Sequence, residues 1–171
     1  VEKTIRRFGP DGTKLPPERV ITETEDQGGG RQTATTTVYR GDLNGNLVLA
    51  ERMVEQTSPS GASSSVVTVQ TERPTLNGSF EAVEKKQIQV TSSGDRTERD
   101  ETSYRPDGNG RFVEAARAIE RTSKDGAKTI IQLDEYETAS TGRMALSKQV
   151  VSTMTTDAAG NAVTISDVFG P

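Results

Sequence analysis

Cysteine, histidine and tryptophan are absent from this 171-residue chain, and aromatic residues make up only 4% of it. Without Cys there are no disulfides and no thiolate chemistry. Without His as well, Ser–His and Cys–His catalytic machinery and His/Cys metal sites are excluded. Hydrophobic residues reach 30%, against the roughly 45–50% apolar content of typical domains, glycine included. No apolar run approaches the roughly 20 residues of a membrane-spanning helix. An excess of positive charge is missing too: 21 basic and 25 acidic residues give a net charge of −4, so nothing electrostatic favours nucleic acid or an anionic membrane as partner.

Such poverty in apolar residues raises disorder as an alternative. The charges are balanced, however, and the polar residues are largely Thr, a β-former. The expectation is a folded β-protein with a thin core.

Self-similarity organises the chain. The segments "GNLVLAERMVEQTSPSG", "GSFEAVEKKQIQVTSSG" and "GRFVEAARAIERTSKDG" superimpose, and "GRMALSKQVVSTMTTDAAG" follows in phase. Their leading glycines, Gly45, Gly78, Gly110 and Gly142, are 33, 32 and 32 apart. "GTKLPPERVITETEDQGG", from Gly12, is a more divergent copy. An aromatic recurs at Phe8, Tyr39, Tyr104, Tyr136 and Phe169, with Glu72 in the one missing place. One domain, 1–171, is expected, with repeat units at about 12–44, 45–77, 78–109, 110–141 and 142–171. The closing "VFGP" echoes "RRFGPDG" near the start, so another copy would begin where the sequence stops.

Each copy carries two turn signals, one reading "DLNGN", "TLNGS", "DGNGR" and "STGR", the other "SPSGA", "TSSGD", "SKDGA" and "DAAGN". Asp, Ser or Thr three places before Gly suits a three-residue hairpin loop, a type I turn closed by a Gly at positive φ. Val-, Ile- and Thr-rich stretches lie between the turns, without a sustained helical period. The expected fold is all-β: a long antiparallel meander of about eleven strands built from ~32-residue hairpins. It should form an open, twisted or curled, largely single-layer sheet, with a wide or partly closed up-and-down barrel as the alternative.

Counting from the leading glycines without interruption gives a register. It places Val54, Ile119 and Val151 on one face with Val67, Val69, Ile131 and Leu133. The opposite face receives the recurring aromatic with Leu47, Phe80, Phe112 and Met144. Tyr39 and Leu47, Tyr104 and Phe112, and Tyr136 and Met144 should be diagonal cross-strand neighbours. The charged segment "GDRTERDETSYRPDGNG" should form exposed cross-strand ladders. In this register Glu101 lies beside Lys85 and Arg117, and Asp100 faces Lys86.

No catalytic, metal or cofactor site is expected. "DLNGN" and "DGNGR" resemble the start of a calcium loop, but Met53 and Ala118 stand where an EF-hand needs a bidentate Glu. "QGGGR" lacks the strand-to-helix context of a phosphate cradle. "LDEYE" puts Asp134 on one face and Glu135 with Glu137 on the other, which charged alternation on a wet strand explains. The candidate ligand-binding surface is the aromatic row Phe8, Tyr39, Tyr104, Tyr136 and Phe169, with Arg40, Arg73 and Arg105 beside it; packing across the turns competes with that role. "YRPDGNGRF" resembles the Tyr–Asp–x–x–Gly–x–Leu pattern of the YD (RHS-type) repeats of bacterial surface proteins. The likeness covers about a quarter of each copy, the period here is longer and no Asp directly follows Tyr, so the chain is not assigned to that family.

The expected function is a non-enzymatic, extracytoplasmic scaffold or adhesion module. The alternative is a ligand-binding module for polysaccharide, peptide or lipid. Expected partners are a second molecule at an exposed edge strand or a cell-surface polymer, not nucleic acid, and no transmembrane segment is expected. Because the sequence begins at Val1, removal of an N-terminal segment is expected to precede a periplasmic or secreted location.

Overall fold

The structure, a computed structural model, describes residues 1–5, 16–42, 44–139, 142–157 and 159–170. Phe8 and Gly12 lie outside the described residues. Among the described residues there are eleven strands: β1 Glu2–Ile5, β2 Glu18–Gly28, β3 Arg31–Gly41, β4 Leu47–Gly61, β5 Ser64–Pro74, β6 Phe80–Ser93, β7 Arg96–Pro106, β8 Phe112–Asp125, β9 Lys128–Thr138, β10 Met144–Thr156 and β11 Ala162–Phe169. They run antiparallel in one meander sheet in the order β1 to β11, not closed into a barrel. No helix occurs among the described residues. The chain divides into two compact units, Val1–Ser58 with Thr68–Lys85, and Pro59–Val67 with Lys86–Pro171.

Two kinds of turn recur among the described residues. In the first, Asp42 N–H donates to the Asn46 carbonyl, and Gly45 N–H donates back to the Asp42 carbonyl at 3.0 Å. The Asp42 carboxylate accepts from the Asn44 and Asn46 amides, and Gly45 closes the loop at φ 82°. The same backbone pair joins Thr75 to Gly78 and Ser79, Asp107 to Gly110 and Arg111, Ala139 to Gly142 and Arg143, and Asp157 to Gly160 and Asn161. These are the expected three-residue loops. In the second kind, β8 and β9 close with Asp125 directly opposite Lys128. Only Gly126 and Ala127 lie between, and Gly126 has φ 55°. A Gly at positive φ in the first central place marks a type II′ turn. "SKDGA" therefore makes a two-residue loop, one shorter than expected, whereas "DAAGN" joins the first kind.

A second departure lies inside the strands. Tyr39 pairs with Leu49 and Val38 with Glu51, leaving Ala50 without a partner. Tyr104 pairs with Glu114 and Ser103 with Ala116, leaving out Ala115. Tyr136 pairs with Leu146 and Glu135 with Lys148, leaving out Ser147. Each is a β-bulge, one extra residue on one strand of a pair. Each falls five residues after its leading glycine. A one-residue slip sends every later side chain to the other face.

The bulges and the short turn correct the uninterrupted register. Between turn and bulge it holds: Phe112 pairs with Pro106 and is diagonal to Tyr104. Met144 pairs with Thr138 and is diagonal to Tyr136, and Leu47 pairs with Gly41 and is diagonal to Tyr39. Beyond the bulge it is off by one. Val54 pairs with Thr35 and so joins the face of Tyr39 and Leu47. Ile119 pairs with Asp100 and Asp134, joining the face of Tyr104 and Tyr136. Ile131 and Leu133, paired with Thr122 and Glu120, lie on the other face from Ile119. Glu101 pairs with Ala118 and Thr102 with Arg117, so Glu101 and Arg117 point to opposite sides. Lys86 meets Glu101 at 3.1 Å rather than Asp100, and Asp100 is held by Arg117.

Little of the sheet is dry. Ile119 is the one buried hydrophobic residue among those described, at 8% exposure. Arg117 and Arg121 flank it along β8, and Asp100 and Asp134 lie opposite it on β7 and β9. Burying such a side chain contributes about 1.5–3 kcal/mol, so the long hydrogen-bond ladders and polar networks must supply much of the rest.

Candidate functional site

In the second unit, Tyr104, Tyr136 and Phe169 share one face with an extended polar network. At its centre is Asp134, 5% exposed. Gln149 Nε2 donates to Asp134 Oδ1 at 2.7 Å, and Gln132 Nε2 donates to both carboxylate oxygens at 3.1 Å. Arg121 Nη1 donates to Oδ2 at 2.7 Å. These donors, Gln149 foremost, hold the Asp134 carboxyl below its ordinary range against the opposing effect of burial. Arg121 also donates through Nε to Glu98 at 2.9 Å, so one guanidinium ties β7 to β9. Beside it, Arg117 holds Asp100 through two nitrogens and depresses its pKa by hydrogen bonding and charge.

On the opposite face, Glu101 receives Lys86 and Arg99. Burial pushes its pKa up, but the hydrogen bond and charge of Lys86, with Arg99, outweigh this and leave it lowered. Glu135, on that same side with Glu137, meets Lys148 at 3.1 Å.

The first unit has a smaller centre of similar design. Glu72, 9% exposed, accepts from Arg52 Nε at 2.7 Å and from Gln70 Nε2 at 2.6 Å. The Arg52 guanidinium lies over the Phe80 ring, 3.9 Å from its centroid, a cation–π arrangement. The residue that interrupts the aromatic row is thus a buried anion with a fixed cation.

The sequence-derived surface residues separate in the structure. Tyr39, Tyr104 and Tyr136 are half-buried, Phe169 is exposed on β11, and Phe8 lies outside the described residues. Arg40 and Arg105 each follow a tyrosine on a strand, and successive side chains point to opposite faces. They therefore do not line the surface that carries the tyrosines. Arg73, opposite in direction to Glu72, reaches Glu51 at 3.8 Å, and Arg40 reaches Glu18 at 3.4 Å. The Asp134 centre was not expected; its signal was Gln132 two places before Asp134, on the same side of a strand.

The tyrosine-bearing face of the second unit also holds a groove of about 510 Å³ lined by residues including Ser93, Arg96, Glu98, Arg121, Ile130 and Gln132. Among the described residues no group of three or more Asp or Glu side chains is arranged to hold a metal ion, and no helix is long and apolar enough to cross a membrane.

No protein-family model matches the sequence, and a search of curated proteins finds no match. A crystal structure of a protein of unknown function from Bacteroides fragilis NCTC 9343 is similar, with 13% identity, over 86% of this chain and 91% of that chain, at a TM-score of 0.47.

Proposed function

We propose that the chain is a non-enzymatic, extracytoplasmic scaffold of β-hairpin repeats that presents sheet surface, of the kind used in adhesion at a bacterial surface. The use made of its carboxylates carries this reading. Every described carboxylate with a resolved shift, Asp42, Asp100, Glu101, Asp134 and Asp157, is shifted downward. They serve as ionised acceptors that lock turns and strand register, whereas a general acid needs the opposite shift. The recurrence of bulge and turn at equal distances from Gly45, Gly110 and Gly142 supports growth by copying. The Thr-, Ser- and Gly-rich repeats support an extracytoplasmic setting.

The test has two arms. Cell fractionation with an antibody to the chain should find it outside the cytoplasm, and a cytoplasmic pool alone would remove the localisation. A panel of chromogenic glycosides and esters should show no turnover. Turnover by the wild-type chain that Glu137→Gln abolishes would replace the scaffold with an enzyme.

A further inference from the structure

The groove on the tyrosine-bearing face of the second unit is crossed by two adjacent rows of side chains. Arg96 on β7 pairs with Ser123 on β8, and Ser123 with Ile130 on β9. One step along, Glu98 pairs with Arg121, and Arg121 with Gln132. The second row is committed to the Asp134 network, yet Glu98 and Gln132 each keep a free acceptor. Glu98 receives Arg121 on Oε2 only, leaving Oε1 to accept. Gln132 donates through Nε2, leaving its carbonyl oxygen to accept.

The first row is uncommitted. Among the described residues, the Arg96 side chain has no ion-pair or hydrogen-bond partner, and neither have the Ser93 and Ser123 hydroxyls. A second hollow of about 680 Å³ shares Ser93, Arg96, Ser123 and Ile130 and continues past Asp95, Lys124 and Asp125. Arg96 therefore stands where the two meet. The volumes fall within the range of small-molecule sites.

The free groups define the ligand. Arg96 offers a planar fork of donors suited to a carboxylate. Glu98 Oε1 and the Gln132 oxygen require donors, which a carboxylate, sulfate or phosphate lacks and sugar hydroxyls supply. Ile130, half-buried at the β9 end of the first row, gives an apolar patch for the C–H side of a ring. Beyond the rows the charges alternate, Asp95 and Asp125 against Lys124, which disfavours a densely charged polyanion. We infer that this groove binds a carboxylate-bearing sugar, a uronic acid unit of an acidic polysaccharide, with Arg96 holding the carboxylate and Glu98 and Gln132 accepting from ring hydroxyls.

The inference does not depend on the scaffold reading: binding without turnover is compatible with both, and turnover would remove the scaffold while leaving the site. The experiment is an NMR titration of the full chain with trigalacturonate, with maltotriose and sodium sulfate as separate probes. Saturable shifts at Arg96, Ser123 and Ile130 are expected with trigalacturonate alone. Arg96→Ala should weaken binding by about tenfold or more, the loss of a charge-assisted two-pronged contact. Arg96→Lys should fall between, and Arg105→Ala, on the other face, should bind as wild type. Absence of saturable shifts with trigalacturonate at about 10 mM, a concentration weaker than any affinity such a contact set implies, would overturn the assignment. So would equal binding of maltotriose, or retention of full affinity by Arg96→Ala with its spectrum otherwise native.

Discussion

Two carboxylates are buried among the described residues, and the two are buried by the same device at different places. Glu72 in the first unit and Asp134 in the second each take a Gln from two residues earlier on their own strand, and an Arg from the preceding strand. The difference lies on the far side of the arginine. Arg52 rests on the Phe80 ring, an uncharged partner. Arg121 reaches a second carboxylate, Glu98, and Asp134 takes a third donor from Gln149. The first centre is a pair braced by an aromatic; the second spans four strands. A sheet with little apolar surface can thus fix its register with polar clusters, provided each buried oxygen finds its donor.

The severest way to break this comparison is to delete Ala115. Removing the bulge would turn Arg117, Ile119 and Arg121 away from Asp100, Asp134 and Glu98 while leaving Arg52 and Glu72 untouched. The second unit should lose about 4 kcal/mol or more, or fail to fold. Hydrogen exchange should show lost protection in β7–β9 with β2–β4 retained.

Next come the carboxylates themselves. Asp134→Ala strands three donors and should cost about 2–3 kcal/mol in denaturant unfolding, more than Glu72→Ala, which strands two. Equal losses would mean the Gln149 contact contributes nothing.

Acid should act on the same network. Asp134, Asp100 and Glu101 have folded pKa values below their unfolded ones. Their contribution is therefore fully present above the unfolded values, about 4, and is lost as pH falls through the folded ones. Stability should be level from pH 7 to about 5 and then decline, with a shallower decline in Asp134→Asn.

A smaller effect sharpens the other side. Phe80→Leu keeps an apolar residue but removes the ring beneath Arg52, and should cost about 0.5–1 kcal/mol. As a baseline, Arg19→Ala removes an exposed pair with Glu2 and should leave the unfolding midpoint unchanged within error.

The strand order, the number of strands and the Asp-x-x-Gly loops were legible in the sequence because turn chemistry is local. The faces were not. Leu47 and Leu49 alternate with a partner face that Val54 ought to join, if the strand were uninterrupted. Met144 and Leu146 stand in the same relation to Val151. In an unbroken strand that switch of parity means two apolar stripes on two faces; here it marks one stripe interrupted by a bulge. Ala50, Ala115 and Ser147 are small and unremarkable, and nothing in them alone announces an extra residue. The "SKDGA" turn hid a second slip, since Ser three places before Gly fits a three-residue loop as well as the two-residue loop that formed. Of the site, the charged ladders were legible in kind but not in partner. The arginines beside the tyrosines were grouped with them by sequence adjacency, which on a strand means opposite faces.

The register of β7 against β8 beyond Ala115 decides all of this, and cross-strand backbone NOEs read it directly. The account predicts that Thr102 lies opposite Arg117 and Glu101 opposite Ala118. Contacts placing Glu101 opposite Arg117, in an unbroken ladder from the Asp107–Gly110 turn, would contradict it.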